Sequence, residues 1–217
     1  MSRFDFVLFD FDGTIADTGP GVKGSVTASL KECGFPVPDE QTLNKFMGPP
    51  IYNTLTEVLD YNDEQALKIV SAYRRHYLVE GISGAALYDG IYDLFESLHD
   101  SGIKIAVPSS KPQQPLEMMM KRFGLDKFTD AICGPDPSEH NSDKTRLLVR
   151  AVNILGVSDK SRCVMIGDRH FDIDAAVATG MHSIGAGYGY SPDGELEDAG
   201  ADIVLGTPAE IKKYILG

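Results

Sequence analysis

Two aspartates stand two residues apart near the start of the chain, where a short apolar run, residues 6–9, is followed by Asp-Phe-Asp-Gly-Thr. Side chains at this spacing in extended backbone project to the same side, so we expect Asp10 and Asp12 to share one site at the end of a strand. Two close carboxylates need a counter-charge, which a hard cation such as Mg²⁺ supplies. Gly13 allows a sharp turn, and the Thr14 hydroxyl can bond a phosphate or nearby backbone. An ordinary Asp-Gly turn is the alternative interpretation.

The rest of the chain predicts a layered α/β fold around this site. Short apolar runs alternate with amphipathic stretches, which indicates right-handed crossovers and a mostly parallel sheet. The predicted strands are 6–9, 104–107, 131–133, 163–166, 182–184 and 203–205. The predicted helices between them are 91–99, 114–123, 143–155, 172–179 and 208–216. The carboxyl ends of parallel strands form the usual ligand crevice of such a sheet.

One segment interrupts the alternation. Between residues 15 and 84 the sequence shows no convincing strand, and its helical stretches are 22–33, 39–46, 51–59 and 64–80. We therefore predict a catalytic core of residues 1–14 and 85–217 with an all-helical insertion at 15–84. Gly81, Gly84 and the stretch 19–21 are the expected hinges. The segment 46–50, Phe-Met-Gly-Pro-Pro, connects two of these helices.

Composition narrows the class of protein. The chain has 217 residues and a net charge of −12, and it lacks the basic block that nucleic-acid binding requires. No apolar run approaches the length of a membrane span, and the chain enters a strand almost at once, which argues against a signal peptide. The three cysteines form no metal motif. We expect a cytoplasmic protein, a monomer or homodimer, that binds neither a nucleic acid polymer nor a membrane.

The Asp-Phe-Asp-Gly-Thr run resembles the DxDGT signature of the haloacid dehalogenase-like (HAD) hydrolases. That resemblance implies a Rossmann-like parallel core, with Asp10 as a nucleophile that forms an aspartyl-phosphate and Asp12 as the general acid and base. It also implies a bound Mg²⁺ held by Asp10, by the backbone carbonyl of Asp12 and by Asp168. The helical insertion resembles the cap of phosphoglycolate-phosphatase-like members, which selects the substrate.

Two further family motifs supply positive charge and a hydroxyl. The second predicted core strand ends near Ser109, which matches the Ser or Thr that binds a phosphoryl oxygen; a turn or helix N-cap is the alternative role. Ser110 and Lys111 follow as candidate phosphate-binding groups. The third motif is a lysine. Lys144, which follows the polar stretch 138–142, fits by position, and Lys111 is the alternative.

The fourth motif, Gly-Asp-x-x-x-Asp, matches the stretch 167–172. It implies that Asp168 ligates the metal and that Asp172 ligates it through water or orients Lys144; Asp172 can also be a helix N-cap. Relatives often carry a serine after the Gly-Asp of this motif, where this chain has Arg169. It can bind phosphate or substrate, or form a surface ion pair.

The family resemblance implies a phosphatase for a small phosphate ester, of the phosphoglycolate or nucleoside 5'-monophosphate type. Gly48 and Pro49, in the 46–50 segment, are candidate substrate contacts. The presence of Asp12 argues against a dehalogenase, because dehalogenating relatives lack the second aspartate. A sugar phosphomutase remains an alternative within the family. A phospho-accepting receiver domain is the alternative outside the family. Receiver domains, however, have no aspartate at the position of Asp12 and no helical insertion.

Overall fold

The structure is a computed structural model that describes residues 2–136 and 143–217. Within these residues the core is a parallel sheet of six strands, in the order β5-β4-β1-β6-β7-β8. The strands are β1 (Phe6–Phe9), β4 (Lys104–Pro108), β5 (Ala131–Cys133), β6 (Cys163–Gly167), β7 (His182–Ala186) and β8 (Ile203–Leu205). The predicted α/β class and all six core strands are confirmed. The polar stretch 138–142 lies outside the described residues.

Strand β1 lies in the middle of the sheet, and its position explains its apolar sequence. Val7, Leu8 and Phe9 are fully buried, as expected for a parallel strand covered by helices on both faces. Leu8 pairs in register with Ala106 of β4 and with Met165 of β6. The residues that follow these three neighbouring strands are therefore brought to one edge of the sheet.

The core helices run close to their predicted bounds. They are α5 (Ile91–Asp100), α6 (Gln113–Arg122), α7 (Lys144–Leu155), α8 (His170–Thr179), α9 (Glu195–Asp198) and α10 (Pro208–Leu216). Strand β4 ends at Pro108, as predicted from the missing proline N–H. The short helix α9 was not predicted, and α8 begins two residues earlier than the sequence pattern indicated.

The chain divides into two compact units, Met1–Ala16 with Leu87–Gly217, and Asp17–Ala86. The second unit contains α1 (Gly19–Cys33), α2 (Glu40–Asn44), α3 (Ile51–Glu57) and α4 (Asp63–His76). A π-helical turn at Tyr77–Gly81 and a 3₁₀ turn at Ile82–Gly84 follow α4. The capping box of Asn62 and Gln65 fixes the start of α4.

One expectation about this segment is corrected. The region predicted to contain no strand begins with β2 (Ala16–Asp17), which pairs with β3 (Ala86–Leu87). Two-residue strands carry no periodicity that a sequence pattern could reveal. The boundary between the two units falls at these strands, and the role of the glycines as hinges stays a prediction. A Cβ on Gly21 would lie 2.0 Å from the Gly81 carbonyl oxygen, so these glycines allow close backbone packing.

None of the helices in the described part of the chain combines the length and the apolar character that a bilayer crossing requires.

Candidate active site

The centre of the site is a lysine between two aspartates. Asp10 directly follows β1, and its backbone N–H donates to the Ile166 carbonyl oxygen at 2.9 Å. The Lys144 ammonium donates to Asp10 Oδ1, and its Nζ lies 2.7 Å from Asp172 Oδ1. All three side chains are buried. Of the two lysines that the sequence left open for this position, the structure places Lys144 against Asp10.

The start of α7 positions Lys144. Asp143 caps the helix by accepting a hydrogen bond from the Thr145 backbone N–H at 2.9 Å. Lys144 is the first residue of the helix, which is amphipathic and buries Leu147 and Leu148 on the face toward the core. Asp172 accepts a hydrogen bond from the Arg169 backbone N–H at 3.3 Å. Arg169 is the N-cap of α8 and Asp172 is the third residue of the helix, so Asp172 is not the N-cap that the sequence allowed. It pairs with Lys144 from the first turn of α8.

Asp168 follows β6 and is completely buried. Its Oδ1 accepts a hydrogen bond from the Thr14 hydroxyl at 3.2 Å, and its Oδ2 accepts one from the Tyr190 backbone N–H at 2.7 Å. The Thr14 hydroxyl thus bonds a carboxylate, where the sequence suggested a phosphate or backbone partner. Gly13 has φ +82°, and a Cβ there would lie 2.0 Å from Asp168 Oδ2. Only glycine fits this turn.

The three side chains expected to contact the metal lie together. Asp10, Asp168 and Asp172 each offer a carboxylate oxygen, and these oxygens lie within 4.8 Å of one another. The set is all oxygen, as Mg²⁺ prefers. These three carboxylates face one ammonium group, that of Lys144, so two negative charges remain to be balanced within the group. The residues present therefore fit a divalent hard cation.

The pKa values of Asp10, Asp168 and Lys144 are all shifted in the direction expected for a buried cluster with too little positive charge. Burial raises the pKa of Asp10 to about 6, the charges of Asp172 and Asp12 add to this, and Lys144 opposes it. Burial, with the charges of Asp10 and Asp172, also raises the pKa of Asp168 well above its ordinary value. Burial disfavours the charged form of Lys144, but Asp10 and Asp172 outweigh it and raise the pKa of its ammonium.

Asp12 lies outside the three-carboxylate group. Its carboxylate accepts two hydrogen bonds from the Lys111 ammonium, at 2.8 and 3.0 Å. Lys111 is buried, whereas the Asp12 side chain is 22% exposed. The aspartate that the family resemblance makes an acid and base is thus held in a fixed orientation and remains accessible. The metal contact expected of its backbone carbonyl stays a prediction.

The second-motif residues follow β4, next to β1. Ser109 is buried, and its backbone N–H donates to the Cys133 carbonyl oxygen at 3.0 Å. Its Oγ accepts a hydrogen bond from the Lys111 backbone N–H at 3.3 Å, which shapes the turn. Ser110 is half-buried. Strand pairing thus brings the Ser109 turn to the sheet edge where Asp10 lies.

Arg169 forms a partly buried ion pair, and its contact with phosphate or substrate stays a prediction. Its guanidinium binds Glu195 at both carboxylate oxygens, with Nε–Oε1 at 2.8 Å and Nη2–Oε2 at 3.3 Å. Glu195 also accepts a hydrogen bond from the His170 backbone N–H at 2.9 Å. The bidentate pair joins the start of α8 to α9.

The candidate substrate contacts of the insertion belong to the second unit. Gly48 has φ +99° and follows two buried side chains, Phe46 and Met47. Pro49 is half-buried. Tyr52, the second residue of α3, donates its hydroxyl hydrogen to Asp63 Oδ1 at 2.9 Å. The 46–50 segment is therefore anchored from both sides within its own unit.

The sequence did not predict that residues after β7, the strand next to β6, surround Asp168. Tyr188 donates its hydroxyl hydrogen to the Thr14 carbonyl oxygen at 2.9 Å, and Tyr190 supplies a backbone N–H. Backbone donors leave no sequence signal. The Gly-Tyr-Gly-Tyr pattern of residues 187–190, after a predicted strand, is the signal that was available.

Comparison with known proteins agrees with this geometry. Residues 7–186 match the family described as haloacid dehalogenase-like hydrolase. The chain is 31% identical to a Pseudomonas aeruginosa protein named 5'-nucleotidase, over 89% of this chain and 87% of the relative. A crystal structure of a predicted phosphatase from Clostridium acetobutylicum superposes with a TM-score of 0.91 at 34% identity, covering 99% of each chain.

A third relative carries a different name. The chain is 32% identical, over 85% of its length, to the Mycobacterium tuberculosis protein named tyrosine-protein kinase PtkA, and the match spans 62% of that protein. The family match covers most of the chain and includes every motif residue in the core. The chain is therefore a member of the haloacid dehalogenase-like hydrolase family.

Proposed function

We propose that the protein is a Mg²⁺-dependent phosphomonoesterase that works through an aspartyl-phosphate on Asp10. The observation that carries the proposal is the contact of the buried Lys144 ammonium with Asp10, beside two further buried carboxylates. Lys144 keeps the Asp10 carboxylate in one orientation. Membership of a hydrolase family, together with Asp12, sets aside the receiver-domain interpretation.

Asp10, Asp168 and Asp172 would hold the cation, which supplies positive charge beside the transferring phosphoryl group. Asp10 attacks phosphorus through one carboxylate oxygen, and the bond from phosphorus to the leaving oxygen breaks. Asp12 gives that oxygen its proton. Asp12 then takes a proton from the water that hydrolyses the aspartyl-phosphate, which restores both carboxyl groups. Ser109 and Lys144 stabilise charge on the phosphoryl oxygens.

The proposed substrate is a small phosphorylated metabolite, with a nucleoside 5'-monophosphate or phosphoglycolate as the first candidates. The relative named 5'-nucleotidase supports the nucleotide class. The core groups recognise only the phosphoryl group and the cation. Discrimination between leaving groups is therefore assigned to the insertion, and to its 46–50 segment first.

The test is phosphate release from p-nitrophenyl phosphate, phosphoglycolate and nucleoside 5'-monophosphates, with Mg²⁺ and with EDTA. We expect hydrolysis with Mg²⁺ and none with EDTA. With a sugar phosphate as a further substrate, conversion into a positional isomer with no release of free phosphate would indicate the phosphomutase instead. Transfer of the phosphoryl group to a tyrosine peptide would indicate the activity for which PtkA is named.

Changes in the 46–50 segment and at Tyr52, just after it, should alter which substrate is preferred. We expect Pro49→Ala and Tyr52→Phe to change the ratio of kcat/KM values between substrates by more than they change inhibition by vanadate. Ser109→Ala should do the reverse and weaken every substrate and vanadate together. Pro49 and Tyr52 are chosen because Phe46 and Met47 are buried, and truncating them would also cost stability. Equal losses for all substrates in the Pro49 variant would make this segment structural.

A further inference from the structure

The loop 187–190 is packed against Asp168 more closely than any side chain would allow. A Cβ on Gly189 would lie 2.3 Å from Asp168 Cβ and 2.4 Å from the Gly13 carbonyl oxygen. Neither distance is possible for a real Cβ atom. Gly189 does not have the positive φ that favours glycine, so what excludes an alanine there is the position of Asp168 and of the Gly13 backbone.

Hydrogen bonds tie the same loop to both sides of Asp168. The Tyr190 backbone N–H donates to Oδ2 at 2.7 Å. The Tyr188 hydroxyl donates to the Thr14 carbonyl oxygen at 2.9 Å, and the Thr14 hydroxyl donates to Oδ1 at 3.2 Å. Each carboxylate oxygen of Asp168 thus has a donor whose position depends on the loop.

The phenol of Tyr188 is itself held in place. Its ring packs edge-on against Tyr88 with ring centroids 4.9 Å apart. The Tyr88 backbone N–H donates to the Ile15 carbonyl oxygen at 3.2 Å, one residue beyond Thr14. Two contacts, one through a side chain and one through backbone, therefore fix the turn that carries Thr14.

We propose that the loop 187–190 sets the Mg²⁺ affinity of the site by orienting Asp168, with Tyr188 and Gly189 as its positioning residues. This inference rests on the proposed function, because it requires Asp168 to be a ligand of the cation. Mutation of a group that orients a metal ligand typically weakens metal binding by about 10–100-fold. Neither residue touches the cation or the phosphoryl group in this proposal.

The experiment measures Mg²⁺ affinity from the rise of Tm with Mg²⁺ concentration and, independently, by titration calorimetry. Gly189→Ala should weaken Mg²⁺ binding about tenfold or more, because the added methyl group displaces Asp168. The matched control is Gly187→Ala. Its Cβ would meet Val204 Cγ1 at 3.0 Å and points at no carboxylate, so Mg²⁺ affinity should change less than about twofold.

A second pair of variants keeps the test decisive if Gly189→Ala does not fold. Tyr188→Phe removes one hydroxyl that bonds a backbone carbonyl oxygen, and it should weaken Mg²⁺ binding severalfold. Thr179→Val removes a buried hydroxyl that donates to the Ala175 carbonyl oxygen at 2.7 Å in α8. It should lower the metal-free Tm comparably and leave the affinity unchanged.

The outcomes separate this inference from the proposed function. If the wild-type protein binds Mg²⁺ and hydrolyses phosphate esters, but Tyr188→Phe binds Mg²⁺ as tightly as Thr179→Val does, the loop has no role in the metal site. Wild-type Mg²⁺ affinity of a folded Gly189→Ala variant would have the same meaning. If the wild-type protein binds no Mg²⁺, the inference and the metal dependence of the proposed function both fail.

Discussion

Asp10→Asn should reduce turnover to less than about 1% of the wild-type rate, because an amide is a poor nucleophile and nothing else in the site replaces it. The fold should survive. Lys144 keeps its contact with Asp172 at 2.7 Å, so the ammonium is not left alone. Phosphate release with saturating Mg²⁺ measures the first effect, and thermal unfolding in EDTA measures the second.

The same variant should have an equal or higher Tm in EDTA at neutral pH. The pKa of Asp10 is raised to about 6, so its ionised form above that pH costs the folded state stability. The cost fades as the pH falls below about 6, where the folded protein binds the proton. The advantage of Asp10→Asn over wild type should therefore shrink between pH 7.5 and pH 5.

Asp5→Asn is the matched control. Asp5 is a surface carboxylate whose hydrogen bond from Arg162, at 2.7 Å, lowers its pKa. Its loss should reduce stability slightly at neutral pH and leave turnover unchanged, the opposite pattern on both measurements. Retained hydrolysis by the Asp10 variant would remove Asp10 as the nucleophile. A lower Tm in EDTA would mean that its contact with Lys144 outweighs the repulsion among the carboxylates.

Asp12→Asn should slow hydrolysis of alkyl phosphates by about 10²–10⁴-fold, the usual contribution of general acid–base catalysis. The loss should be smaller for p-nitrophenyl phosphate, whose leaving group needs little protonation. Steady-state kcat on both esters measures the difference. Equal losses on the two esters would count against Asp12 as the acid.

The effect of Asp12→Asn on stability should have the opposite sign to that of Asp10→Asn. Asp12 accepts two hydrogen bonds from Lys111, which is buried, and removing one partner of a buried ion pair is destabilising because the other charge loses its partner's compensating charge. Tm should fall, and the double variant with Lys111→Met should recover part of the loss. Activity should not recover, which separates the chemical role of Asp12 from its structural one.

The predictable parts of this protein were those with a local cause. The apolar runs before Asp10 and Asp168 indicated buried parallel strands, and both strands are present with the aspartates just beyond their ends. Parallel pairing alone then puts those ends on one edge of the sheet. The acidic residues of the site and the order of strands and helices could therefore be predicted from the sequence and from the family resemblance.

The partners of these side chains depended on chain segments far apart in sequence. Two lysines were candidates for the contact with Asp10, and nothing local separates them. The packing of α7 brings Lys144 into contact with Asp10 and Asp172. The turn after β4 brings Lys111 into contact with Asp12. Glu195, which binds Arg169, had no motif at all. The pairing of distant charges is set by three-dimensional proximity, which a linear pattern does not contain.

The fold class, the helical character of the insertion and the residue types at the candidate site could all be predicted from the sequence. Periodicity and strand-end chemistry act over a few residues, so one chain suffices to detect them. The three-dimensional structure was needed to show which carboxylates form one group, why Gly13 and Gly189 must be glycine, and which groups contact Asp168. Those answers depend on contacts of about 2–4 Å between strands β1, β6 and β7 and their loops, and such contacts exist only after the strands have paired.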